Sequence, residues 1–148
     1  MYKHILLPTD GSALAREAIQ TGVKLAKTIG ARVTGFYAAP APTPIEYKGF
    51  LPVGYVDPAK HEKMIERTAA KYLDAVEKAA SAAGVPYKVE HVTNDYPADA
   101  IIAAAKKNKC DLIFMPTHGR RGLRNMSMLG TQTQKVLANS KIPVLVHR

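Results

Sequence analysis

Residues 115–133 read Met-Pro-Thr-His-Gly-Arg-Arg-Gly-Leu-Arg-Asn-Met-Ser-Met-Leu-Gly-Thr-Gln-Thr and gather three glycines, three arginines and one histidine. The apolar run Leu112-Ile113-Phe114 precedes this stretch and a helix-like run over 132–139 follows it. These groups therefore stand between a strand's carboxyl end and a helix's amino end, and the chemistry that placement suits is the capture of an anion. Free N–H groups of a first helical turn and the positive end of the helix dipole receive phosphate. Gly119, Gly122 and Gly130 let the main chain approach a ligand without a Cβ in the way, and Arg120, Arg121 and Arg124 add compact positive charge. The stretch is neither Gly-x-x-x-x-Gly-Lys-Ser/Thr nor Gly-x-Gly-x-x-Gly. Spacing alone leaves two readings open, a phosphate site or a glycine turn that only connects two elements with arginines in solvent. A second candidate corner is Pro8-Thr9-Asp10-Gly11-Ser12, where Asp10 could meet a ligand or serve as a turn residue, and Ser12 is placed to cap a helix.

The elements that must position these groups alternate regularly. Residues 4–7 form a nearly continuous apolar run, as expected for a central parallel strand covered on both faces. Leu14, Ala18, Gly22, Leu25 and Ile29 recur at helical intervals up to Gly30. A second strand is expected over 31–38. Residues 39–57 hold four prolines and three aromatics without a sustained period, which predicts a long loop, either a lid or contact surface or a plain surface connection. A helix follows over 57–83, opened by Asp57-Pro58, with Ile65, Tyr72, Leu73, Val76, Ala79 and Ala80 on one side. A third strand over 85–93, a helix from 96 with Ile101, Ile102 and Ala105 inward, and a fourth strand over 110–115 come next. A helix over 131–140 and a strand over 142–147 complete the pattern. Pro143 cannot donate to a ladder, so the last strand is expected at an edge, and an unpaired apolar edge predicts a homodimer through this carboxyl-terminal strand region.

Such alternation predicts a single domain spanning 1–148, an α/β doubly wound parallel sheet of five strands with helices on both faces. A strand order of 3-2-1-4-5 would place the ligand crevice at the reversal between the first and fourth strands. Their carboxyl ends carry the two corners already singled out.

Composition narrows the function classes. The chain has 148 residues, 47% hydrophobic and 22% charged, as in an ordinary globular domain. Its apolar runs fall short of the roughly 20 residues a membrane-spanning helix needs, and the short apolar segment after Met1 lacks a leader's length and cleavage site, so a cytoplasmic protein is expected. The net charge of +9 comes largely from lysines interleaved with carboxylates on helices; with no aromatic cluster or recognition-helix pattern, this argues against nucleic acid as the main partner. Cys110 is the only cysteine and reads as a small buried hydrophobe. His4, His61, His91 and His147 lack companions at metal-binding spacing.

The opening Ile-Leu-Leu-Pro-Thr-Asp-Gly-Ser, the central Thr117-His118-Gly119-Arg120-Arg121-Gly122-Leu123 and the closing Lys141-Ile142-Pro143-Val144-Leu145-Val146 together resemble the universal stress protein family over the whole chain. The resemblance implies a 3-2-1-4-5 sheet, usually dimeric, in a family with one subclass that binds ATP and another that does not. It implies ATP, with Mg²⁺, as cofactor and a role in the stress response; no enzymatic activity beyond weak ATP hydrolysis is expected, because no carboxylate or histidine other than His118 stands where a general base would. Asp10 would meet the ribose or adenine end with Pro8 and Thr9 beside it, and Ala38 and Met115 would line the nucleoside pocket. His118, Gly119, Arg121, Gly122, Gly130, Thr131, Gln132 and Thr133 would serve the phosphates. The family pattern Gly-x2-Gly-x9-Gly-Ser/Thr is met imperfectly: its first glycine falls on Pro116, and ten residues instead of nine separate Gly119 from Gly130. Proline supplies no N–H, and one lost hydrogen bond to a charged group, about 1.5–3 kcal/mol, would weaken ATP about 10- to 100-fold. The rival expectation is a dimeric interaction protein of the non-ATP subclass, using its proline-rich loop as a docking module.

Overall fold

A computed structural model describes residues 1–41, 46–48, 51–53, 58–119 and 129–148, the two short segments by their backbone alone. Among the described residues, seven strands and four helices follow one another as β1 (His4–Pro8), α1 (Ala13–Ile29), β2 (Arg32–Ala39), β3 (Glu46–Lys48), β4 (Leu51–Val53), α2 (Pro58–Ala83), β5 (Tyr87–Thr93), α3 (Pro97–Lys107), β6 (Leu112–Pro116), α4 (Thr131–Asn139) and β7 (Val144–His147). Five strands form one parallel sheet in the order β5-β2-β1-β6-β7. Counted among themselves these are strands 3-2-1-4-5, the order that the family resemblance implies. β3 and β4 form a separate antiparallel ribbon inside the segment expected to be a loop. Pro52 in β4 is compatible with that pairing because a two-stranded ribbon leaves one edge of each strand without a partner.

Strand alternation divides the core into two layers. Ile5, Leu7, Val33, Leu112 and Phe114 pack with α1 and α2, while Leu6, Phe36, Ile113 and Met115 pack with α3 and with Val136 of α4. β1 and β6 are buried at every position, which is why they read as continuous apolar runs. α1 rests close on the sheet at Gly22, where a Cβ would stand 2.6 Å from Leu7 Cδ2 and 3.2 Å from Phe114. Its buried stripe is Ala15, Ala18, Ile19, Gly22, Val23 and Ala26, so the expected stripe is correct at Ala18 and Gly22; Leu25 is half-buried and packs against the same core, while Leu14 is half-buried and Ile29 exposed. α2 buries Ile65, Leu73, Val76, Ala79 and Ala80 as expected, with Ala69 in place of the half-buried Tyr72.

At the amino end of the sheet, His4 is buried and its Nε2 lies 2.6 Å from Thr34 Oγ1. Burial holds its pKa below 6.5, with Arg32 and Lys88 adding to the effect against Asn108 and Asp111. Cys110 is buried, and burial pushes its thiol up to about 11, so it stays protonated and packs as a small apolar group. Among the described residues no helix is long and apolar enough to cross a membrane.

Candidate functional site

The β1–α1 corner is built from side chain to backbone bonds that fix it locally. Thr9 N–H donates to Phe36 O at 2.8 Å, joining the corner to β2. Thr9 Oγ1 accepts from Gly11 N–H at 3.1 Å, Asp10 Oδ1 accepts from Ser12 N–H at 3.0 Å, and Ser12 Oγ accepts from Ala15 N–H at 3.1 Å. These are the turn and cap bonds that Thr, Asp and Ser favour at a helix start. Gly11 adopts φ +78° against the ring of Tyr72, where a side chain would collide. Asp10 is thus presented at the carboxyl end of β1 with one oxygen held in the turn.

The β6–α4 corner is tied as firmly. Thr117 N–H donates to His147 O at 3.0 Å, Thr133 Oγ1 donates to Pro116 O at 2.9 Å, and Gly130 N–H donates to Thr117 O at 2.8 Å. The chain that leaves the sheet at Gly119 therefore returns, at Gly130, against the residues it left. A Cβ on Gly130 would stand 3.1 Å from Thr117 O and 3.2 Å from His118 Cα, so glycine permits this approach. The N–H groups of Thr131, Gln132 and Thr133 open α4 and have no acceptor within the helix.

The two corners meet. A Cβ on Gly119 would run into Asp10 Oδ2, which puts the carboxylate of the first corner against the backbone of the second. Ala38 and Met115 belong to one apolar cluster with Leu6 and Phe36, beneath the same edge of the sheet. His118 is 5% exposed; its Nδ1 lies 3.1 Å from Thr117 Oγ1, and its Nε2 is buried with no partner among the described residues.

Two expected phosphate contacts are otherwise engaged. Gln132 Oε1 accepts from Ala98 N–H at 3.1 Å, so that side chain caps α3, and the Thr133 hydroxyl is spent on Pro116. What Gln132 and Thr133 keep for a ligand is their backbone N–H. Pro116 closes β6 with a trans peptide bond, and alternation puts its ring on the Phe114 side, away from Met115. Pro8 closes β1 opposite Phe36. Arg121 and Gly122 lie outside the described residues. Thr117, for which the sequence suggests no role of its own, brings its hydroxyl to the His118 ring.

The family model for the universal stress protein family matches residues 1–148. The chain belongs to the universal stress protein family. Among curated universal stress proteins, MJ0531 of Methanocaldococcus jannaschii is 32% identical over 149 residues, covering 99% of this chain and 82% of that one. The universal stress protein in the QAH/OAS sulfhydrylase 3′ region of Thermus aquaticus is 34% identical over 152 residues, covering all of both chains. Solved structures of the family share the fold. UspA of Lactobacillus plantarum superposes with a TM-score of 0.74 at 22% identity, covering 99% of this chain and 98% of that one. A universal stress protein in complex with cAMP gives 0.71 at 21% identity, with 99% and 97% covered. A family protein of Arabidopsis thaliana with AMP bound gives 0.62 at 14% identity, with 97% and 90% covered.

Proposed function

We propose that this universal stress protein binds an adenine nucleotide, ATP in the first instance, in the cleft between the β1–α1 and β6–α4 corners, and acts as a nucleotide-dependent regulator in the cytoplasm. The observation that carries this reading is the contact between the Asp10 carboxylate and Gly119. An acceptor for sugar hydroxyls thereby stands one residue from His118 and beside a helix amino terminus. The cleft fits the ligand in two further respects: a Cβ at 119 would fill it, and a buried imidazole nitrogen there has no partner among the described residues. Family members whose structures hold cAMP and AMP share the fold and give the reading its ligand class. Among the described residues no group of three or more His, Cys, Asp or Glu could hold a metal, so Mg²⁺ would enter on the phosphates, keeping waters as that ion does.

A second reading, a dimeric interaction protein that does not use nucleotide, is favoured by Pro116 and by the exposed Leu145 on the edge strand β7. Thermal unfolding with and without Mg-ATP separates the two. Nucleotide at about 100 times its Kd stabilises by about 2.7 kcal/mol, which for a chain of this size raises Tm by about 5–10 °C. No shift at millimolar Mg-ATP refutes the nucleotide reading and leaves the second.

A further inference from the structure

We propose that Tyr72 of α2 is a positioning residue for this cleft: its ring holds the turn that aims Asp10, and so sets the preference for a nucleotide whose sugar carries free hydroxyls. The inference rests on the nucleotide reading above. The turn is held at Gly11 from three sides. The Gly11 N–H donates to Thr9 Oγ1 at 3.1 Å, and its carbonyl accepts from the Arg16 guanidinium at 2.7 Å. On the third side stands the Tyr72 ring, whose Cε1, Cδ1 and Cζ lie 2.3–2.5 Å from where a Cβ of Gly11 would be. A glycine at φ +78° has no side chain with which to wedge its own turn, and the tyrosine supplies that bulk from another element.

The ring is itself fixed to the sheet. It meets Tyr37 of β2 edge-on, with centroids 5.1 Å apart and planes at 77°, an arrangement aromatic pairs favour. Tyr37 is buried in one cluster with Ile65, Ala69 and Leu73. Tyr72 is only half-buried although Ala69, Leu73 and Val76 beside it on α2 are buried, so it sits at the margin of the helix–sheet contact, against the corner. The consequence reaches Asp10 through the backbone. Asp10 Oδ1 accepts from Ser12 N–H within the turn, while Oδ2 stands against Gly119. A displacement of Gly11 carries that second oxygen with it, and a binding group needs its place held to within about 0.5 Å.

The test is calorimetric titration of Mg-ATP and of Mg-2′,3′-dideoxy-ATP, which lacks both sugar hydroxyls, into the unaltered chain, Tyr72→Ala, Tyr72→Phe, Asp10→Ala and the Asp10→Ala/Tyr72→Ala double variant. The expected result for Tyr72→Ala is a loss of about 10- to 100-fold for ATP with the dideoxy nucleotide unchanged, and recovery in Tyr72→Phe, which keeps the ring. With Asp10 already removed, Tyr72→Ala should cost ATP nothing further, because two changes acting through one contact do not add. A purely structural role for Tyr72 would instead weaken both nucleotides equally and act the same in both backgrounds. Equal losses for the two nucleotides, no loss for ATP, or full additivity with Asp10→Ala overturns the inference and leaves nucleotide binding intact. No binding of either nucleotide by the unaltered chain overturns the nucleotide reading together with it. Should Tyr72→Ala not fold, Tyr72→Leu, which keeps apolar bulk without a flat ring, carries the same comparison with the same expected and overturning results.

Discussion

Replacing Gly119 by alanine adds one methyl group where the Asp10 carboxylate already stands. The backbone itself accepts the change, because Gly119 is not among the residues with positive φ and is exposed. Relief must come from Asp10, by an off-rotamer twist costing about 0.5–1.5 kcal/mol or by release of its bond from Ser12 N–H. A carboxylate swung out of the cleft no longer meets a sugar hydroxyl, and a hydrogen bond to a charged group is worth about 1.5–3 kcal/mol. The expected result is a 10- to 100-fold rise in the Kd for Mg-ATP, roughly, with a fall in Tm of about 2–6 °C if the twist is the main cost. Calorimetric titration and thermal unfolding read the two numbers. A second background isolates the cause: in Asp10→Gly, where no carboxylate remains to be struck, Gly119→Ala should cost little, because coupled sites fail to add. An unchanged Kd in Gly119→Ala, or the same penalty in both backgrounds, refutes the reasoning.

Three other outcomes follow from the same geometry. Thr133→Val leaves the buried Pro116 carbonyl without its donor, which should cost about 1–3 kcal/mol, measured by urea denaturation. His4 is held below its ordinary pKa of 6.5, so the unfolded chain binds that proton first. Its contribution to stability is fully present above about pH 6.5 and is lost as pH falls through the lower folded-state value; His4→Gln should flatten the loss, as read by unfolding free energies at pH 7.5 and 5. Leu145, 39% exposed on the edge strand β7, should lie within the proposed dimer contact, and Leu145→Glu should shift sedimentation from dimer to monomer without lowering helix content; an unaltered monomer in the parent chain contradicts that proposal.

Much of this architecture was legible because parallel strands buried on both faces are apolar at every position. Residues 5–7 and 112–115 are of that kind, and Pro143 marked the last strand as an edge before any pairing was known. The rotation of α1 was less legible: Leu14 and Ile29 repeat as regularly as Ala15, Ile19 and Val23, and only Leu7 and Phe114 across the interface at Gly22 decide which stripe faces inward. The β3–β4 ribbon was hidden because its three-residue strands carry Pro52 and show no sustained alternation. At the site, residue types indicated the two corners, and the sheet order brought them together. The sequence could not indicate that Gln132 would turn to Ala98, or that Thr133 would spend its hydroxyl on Pro116. Those are long-range bonds, and a polar residue's partner is chosen by whichever backbone group the fold leaves unsatisfied nearby.

The most direct test of the cleft is a titration of the ¹⁵N-labelled chain with Mg-ATP, followed by amide correlation spectra. The account requires saturable shifts concentrated at Asp10, Gly11, His118, Gly119 and the 130–133 turn, with the amino end of the sheet around His4 and Asp111 unmoved. Shifts elsewhere with those amides silent, or a spectrum that Mg-ATP leaves unchanged, would contradict it.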